Sequence, residues 1–176
     1  MRYRRAMVEG ATFFFTVNLA ERSSRILVDR VGDLPEVARR VREEHPFVII
    51  AWVVNADHID AIWRRPENDA DYSTRWALIK TGFSRAVPKT EQIRYSRERK
   101  GERGIWQRRF WEHLIRNDTD LQWHVDYTHY DPLKHGYVRR AVDWPFSSIH
   151  RYVRLGWVSS DWGCPDDGDG DFGERW

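Results

Sequence analysis

The sequence predicts an α+β domain with an antiparallel sheet flanked by helices. Two observations carry the sheet: apolar, β-branched and aromatic runs at 11–19 and 47–54, and a third run at 59–64 that follows the second across a short turn. A third observation sets the class. Segments of helical period interrupt the strands in the order strand, helix, hairpin, helix, strand, helix.

Residues 11–19 hold Thr12, Phe13, Phe14, Phe15, Thr16 and Val17, the composition of a buried strand. Asp33 ahead of Leu34 and Pro35 predicts an N-cap with proline in the first turn, and Val37 and Val41 carry a helix to about Glu44 before Pro46 ends it. Residues 47–54 predict the second strand, Asn55, Ala56 and Asp57 the turn, and 59–64 the third strand, together an antiparallel hairpin. Trp76, Ile79 and Phe83 give 71–86 a helical spacing, with Ser73 or Asp71 as its cap. Residues 87–104 are polar and basic and contain Pro88, Gly101 and Gly104, which predicts a mobile loop. Residues 106–110 are expected to form a short fourth strand. Asn117 and Asp118 cap a helix over 119–130 that Pro132 and Gly136 punctuate, and Trp144-Pro145 opens a further short helix. These readings make one domain of 1–160, followed by an acidic, flexible tail over 161–176.

The net charge of +2 hides a strong asymmetry. Asp161, Asp166, Asp167, Asp169, Asp171 and Glu174 face Arg175 alone in the last sixteen residues. Between Asp71 and Phe110, eleven Lys and Arg face four acids, the footprint of a surface for a polyanion, with nucleic acid as the expected partner. The single cysteine, Cys164, rules out an intrachain disulfide and a cysteine-based zinc site, as expected of a chain in a reducing cytoplasm. The first residues do not read as a signal peptide, and no run approaches the length of a membrane span.

Two short constellations carry chemistry. In a strand, His58 and Asp60 share a face while Ile59 packs the other way, and an imidazole beside a carboxylate can grip a divalent cation such as Mg²⁺ or Mn²⁺. On the last long helix, Tyr127 and Asp131 are four apart and share a face. A tyrosine can attack phosphorus, but with a reference pKa near ~10 it needs activation, and Asp131 is placed to complete a cation's shell. Arg4, Arg5 and Arg75 are candidate phosphate or base contacts. His113, His124 and His135 are expected in structural roles or at phosphates rather than as metal ligands. Trp76, Trp106 and Trp111 are expected as core or interface aromatics rather than as platforms for bases.

Further pieces stand in order along the chain: Tyr3-Arg4-Arg5; Phe14-Phe15-Thr16-Val17; Ala51-Trp52-Val53-Val54; Asp57-His58; Ser73-Thr74-Arg75-Trp76 with Lys80; Ile105-Trp106-Gln107; Arg109-Phe110-Trp111-Glu112-His113; His124-Val125-Asp126-Tyr127; Lys134-His135-Gly136; and Asp143-Trp144-Pro145-Phe146-Ser147. In this collinear set the chain resembles the REP-associated tyrosine transposases, relatives of single-tyrosine transposases in the HUH nuclease group. The resemblance implies a ferredoxin-like fold. It implies that Tyr127 is a nucleophile forming a 5′-phosphotyrosine link, and that His58, Asp60 and Asp131 hold a divalent metal. Arg4, Arg5, Arg75, Lys80, Arg108, Arg109 and Lys134 would contact DNA. The implied partner is single-stranded DNA folded into an imperfect palindromic hairpin, bound by a monomer in the bacterial cytoplasm, at nucleoid DNA. The chain departs from the family pattern at two positions: Asp60 stands where a second histidine is expected, and Asp131 where asparagine is common. These departures leave open a second reading, a hairpin-binding module without transesterification. A third, an RNA-binding α+β domain, lacks the expected glycine-aromatic strand signature.

Overall fold

The structure, a computed structural model, describes residues 8–89 and 103–163. Arg4 and Arg5, most of the expected loop, Cys164 and nearly all of the acidic tail lie outside the described residues. Strand β1 (Thr12–Asn18) is followed by the short helix α1 (Ile26–Asp29), α2 (Asp33–Glu44), the hairpin β2 (Val48–Val54) and β3 (His58–Arg64), and α3 (Ser73–Ala86). Strand β4 (Trp111–Leu114), the long helix α4 (Asp118–Lys134), a 3₁₀ turn (Ala141–Asp143) and α5 (Ile149–Arg154) complete the elements among the described residues. The sheet order is β2-β3-β1-β4, with every neighbouring pair antiparallel. This is the ferredoxin-like β-α-β-β-α-β arrangement, extended by α4 and α5.

Strand alternation divides the core into two layers. Phe13, Phe15, Val17, Ile59, Ala61 and Trp63 pack with Leu34, Val41, Trp76, Ile79 and Phe83 on the α2/α3 face. Phe14, Ala51 and Ile62 meet Val125, Tyr127 and Tyr152 on the opposite face. Both faces are therefore covered, which explains why 11–19 reads as a nearly unbroken apolar run. The indoles of Trp63 and Trp76 stack at 4.3 Å and 20°. Close approach of α2 and α3 depends on Gly82, where an added Cβ would lie 2.6 Å from Val37 Cγ1.

Arg75 is 2% exposed, with Nε donating to His45 O (3.2 Å), Nη2 to Pro46 O (2.8 Å) and an ion pair to Asp69 at 2.5 Å. This corrects its reading as a DNA contact. A guanidinium spent on backbone carbonyls at the end of α2 is an internal brace.

The fourth strand lies later than the sequence predicts. Trp106 makes one isolated bridge to Leu19, and Gln107 N donates to Asn18 O, but Arg108 and Arg109 are exposed and regular pairing begins only at Trp111. Helix α4 is capped as expected, with Asn117 Oδ1 accepting from Asp120 N at 2.9 Å. It runs beyond the expected end because Pro132 sits inside it, and closure comes at Gly136 (φ 69°), with Gly136 N to Leu133 O and Tyr137 N to Pro132 O. Trp144-Pro145 does not open a helix. Trp144 Nε1 donates to Val54 O (2.9 Å), and residues 146–148 run along β2, covering its edge with bonds from Val54 N to Phe146 O and from Ser148 N to Trp52 O.

Candidate active site

The β2–β3 turn, the start of β3 and the end of α4 converge on the α4 face of the sheet. His58 is paired in register with Asn18, and Asp60 with Thr16, so both side chains lie on the face that Phe14 and Ile62 present to α4. His58 Nε2 lies 3.0 Å from Asp131 Oδ2 and 3.7 Å from Asp60 Oδ2. Its Nδ1 lies 2.7 Å from Asp57 Oδ1, and Asp57 Oδ2 pairs with Arg22 Nε at 2.6 Å. Asn55 Nδ2 donates to Asp131 Oδ2 at 2.6 Å, and Thr16 Oγ1 donates to Asp60 Oδ1 at 2.6 Å. His135 completes the group, with Nε2 3.4 Å from Asp131 Oδ2 and its ring 5.3 Å from that of His58.

His58, Asp60 and Asp131 are at most 4% exposed. Burial works against a charge on His58. The charge of Asp60 and hydrogen bonds to Asp131, Asp57 and Asp60 outweigh it and hold the imidazolium well above the ordinary histidine value. For Asp57, burial again disfavours charge, yet the bond to His58 and the charges of His58 and Arg22 keep its carboxyl below the usual range.

Three carboxylates and an imidazole drawn together in a buried pocket call for a cation. The residues fit one: His58, Asp131 and His135 bring donor atoms within 4.8 Å of one another, and Asp131 Oδ1 is a buried oxygen with no hydrogen-bond partner. Mixed oxygen and nitrogen donors suit a hard or borderline divalent ion. The sequence expects His135 in a structural role or at a phosphate rather than among the ligands. Its signal is present in the sequence, since Tyr127, Asp131 and His135 continue one i, i+4 row, but the row is recognised only once Pro132 is known not to end the helix.

A second group, His113, Asp120 and His124, also brings donors within 4.8 Å. Here the two imidazoles stack at 4.4 Å and 18°, so their in-plane lone pairs do not converge. Asp120 is also committed to Arg116 N at 2.8 Å. This group is a structural clasp between β4 and α4.

Tyr127 lies one turn before Asp131 on α4 and is 9% exposed. Its ring stacks on Trp123 at 5.5 Å and 20° and meets the Phe14 ring at 5.8 Å and 84°. Lys134 Nζ donates to Tyr127 Oη at 3.3 Å and sits 5.0 Å from the ring centroid. Lys80 Nζ donates to Gln107 O (2.8 Å) and lies over the Phe110 ring, tying α3 to the segment before β4. Arg108 and Arg109 are exposed beside that segment.

No family model matches the chain. Two curated relatives do: a candidate REP-associated tyrosine transposase of Haemophilus influenzae, 44% identical over 162 residues (92% of each chain), and a REP-associated tyrosine transposase of Escherichia coli, 44% identical over 160 residues (91% of this chain and 89% of the relative). A solved REP-associated tyrosine transposase bound to a REP hairpin superposes with a TM-score of 0.82 at 43% identity, covering 100% of this chain and 98% of its own. The fold and the sequence thus sit within a known class of tyrosine transposases. The chain belongs to the REP-associated tyrosine transposases.

Proposed function

We propose that the chain nicks and rejoins hairpin-forming single-stranded DNA of the REP type, with Tyr127 as the nucleophile. The observation that carries this reading is the convergence, on one sheet face, of a lysine-contacted tyrosine and, one helical turn away, the buried His58, Asp60 and Asp131 with the exposed His135 at their rim. The hairpin-bound relative supports DNA of that shape as the substrate.

Tyr127 Oη forms a bond to the scissile phosphorus while the bond to the 3′ oxygen breaks. The phenolic proton is lost, the 3′ oxygen leaves as a hydroxyl, and the 5′ side stays on the protein as a phosphotyrosine ester. Attack by a 3′-hydroxyl on that ester reverses the exchange and rejoins DNA without outside energy. Lys134, at 3.3 Å from Oη, stabilises the developing phenolate. His58, Asp60, Asp131 and His135 would hold a Mg²⁺ or Mn²⁺ ion, which when bound draws charge from the phosphate and orients it. Asp57 and Arg22 position His58 from behind. Exposed Arg108 and Arg109 neutralise backbone phosphates. Arg4 and Arg5 are assigned the same role from sequence alone. A monomer is the acting form proposed here.

Labelled hairpin DNA incubated with Mn²⁺ or Mg²⁺ and resolved on a denaturing gel tests the reading. A covalent protein–DNA band is expected in the wild type and absent in Tyr127→Phe. If no band forms on DNA that the protein binds, the chain is a hairpin-binding module, and Asp60→His becomes the informative variant.

A further inference from the structure

The end of α4 carries a ring stack that the chemistry above leaves unused. His135 stands at the cap of the helix, and the chain turns back at once: Gly136 takes φ 69°, and Tyr137 N donates to Pro132 O at 2.9 Å. The reversal lays the Tyr137 ring against the imidazole of His135 at 5.6 Å and 22°. Tyr137 in turn stacks with Trp144 at 5.1 Å and 24°. Both arrangements fall within the range of offset-stacked rings.

Trp144 is the fixed end of this stack. It is 9% exposed, its Nε1 donates to Val54 O at 2.9 Å, and its own carbonyl accepts from His150 Nε2 at 2.9 Å. Val54 ends β2, and the next residue, Asn55, donates its backbone N–H to His58 O and its Nδ2 to Asp131 Oδ2. The stack and the buried ligands are therefore hung from one stretch of backbone. His135 is the outlying member of the group, with a side chain 35% exposed against 5% for His58 and 1% for Asp131. An imidazole so exposed at a helix end loses rotamer freedom when it takes a ligand, unless packing has already fixed it. Its ring crosses that of His58 at 66°, and its Nε2 lies 3.4 Å from Asp131 Oδ2. The two imidazoles thus differ from the stacked His113–His124 pair: their in-plane lone pairs can converge on one ion.

We propose that Tyr137 is a positioning residue for the cation: stacked with the anchored Trp144, it holds the His135 imidazole with Nε2 toward Asp131, so that an arriving ion meets a preset ligand. The proposal rests on the cation reading above. In this role Tyr137 touches neither the ion nor DNA and acts only through His135. The ring does the holding, so phenylalanine suffices where an aliphatic residue does not.

The test titrates the full chain with Mn²⁺ alone by isothermal calorimetry, and records metal-free thermal unfolding for every variant. His135→Ala weakens Mn²⁺ about tenfold, and Tyr137→Leu, which removes the stack but keeps an apolar cover on Trp144, does so by a similar factor. Tyr137→Phe retains wild-type affinity. Adding Tyr137→Leu to His135→Ala costs no further affinity, because the stack acts through that imidazole. In the electron spin-echo spectrum of bound Mn²⁺, Tyr137→Leu and His135→Ala lose the same part of the imidazole-nitrogen modulation. A merely structural Tyr137 would lower the metal-free Tm and leave affinity and modulation unchanged, and that result would overturn the proposal. Unchanged affinity in His135→Ala overturns it too, at an exposed position where folding is not at risk. The readings fail separately. A wild type that binds no Mn²⁺ removes the cation reading and the positioning role with it. Wild-type affinity in Tyr137→Leu beside a loss in Asp131→Asn removes the positioning role alone. Intact Mn²⁺ binding without a covalent DNA band removes the nuclease and leaves the positioning role in place.

Discussion

Replacing Asp131 with asparagine is the sharpest probe of the cluster, because it removes one charge and almost no volume. Asp131 Oδ2 accepts from Asn55 Nδ2 at 2.6 Å and faces His58 Nε2 at 3.0 Å, so the amide oxygen must take that place. The NH₂ group is then left where Oδ1 lies buried without a partner. A divalent ion about 4 Å from a carboxylate, at an effective dielectric near 20, is attracted by about 8 kcal/mol. If desolvation leaves a third of this, the loss is about 2.7 kcal/mol, or a hundredfold in affinity. Mn²⁺ at a hundred times its dissociation constant stabilises the wild type by about 2.7 kcal/mol, but the variant at the same concentration by only about 0.4 kcal/mol. For a chain of this size those figures raise Tm by roughly 5–10 °C and about 1 °C. Differential scanning fluorimetry with and without Mn²⁺ reads the difference. Asp120→Asn, in the stacked His113–His124 clasp, should keep the full wild-type shift. A full shift in Asp131→Asn, or its loss in Asp120→Asn, would refute the assignment of the cation to the His58 cluster.

Three other outcomes are expected. Lys134→Ala should slow covalent adduct formation by roughly tenfold or more in single-turnover assays, because it removes the cation at the phenolic oxygen; an unchanged rate would exclude that role. Asn117→Ala removes the bond to Asp120 N and should cost about 1 kcal/mol, measured by urea unfolding. His129 is buried against Ser148, and burial, reinforced by the charges of Arg151 and His150, lowers its pKa to about 3. The unfolded chain therefore binds the extra proton first, so stability is whole above about pH 6.5 and falls as the pH drops toward about 3, by roughly 3 kcal/mol at pH 4. His129→Gln should lose that part of the acid sensitivity, and identical pH–stability curves for the two proteins would contradict it.

What could be read from the chain alone followed from local physics. Strands β1, β2 and β3 announced themselves because both faces of the sheet are covered and their residues are apolar in runs. The turn at Asn55–Asp57 and the cap at Asn117 are set by side chains within a few residues of where they act. The pairing of Tyr127 with Asp131 followed from helical period, and the family from the collinear set of motifs.

The rest depended on contacts between residues far apart in sequence. Pro132 normally ends a helix, yet α4 continues through it, so His135 joins His58 and Asp131 in a way that local rules discourage. Arg75 carries the charge expected of a DNA contact, but the end of α2 and Asp69 consume its guanidinium. Trp76, Trp106 and Trp111 are alike as residue types, and only their places in the fold, on α3, at the isolated bridge to Leu19 and at the start of edge strand β4, separate two core rings from one that is exposed. The sequence by itself determined which elements form and which side chains have the chemistry to matter. The tertiary structure alone decided which of those side chains meet, because burial and register are properties of paired strands and packed helices rather than of any short segment.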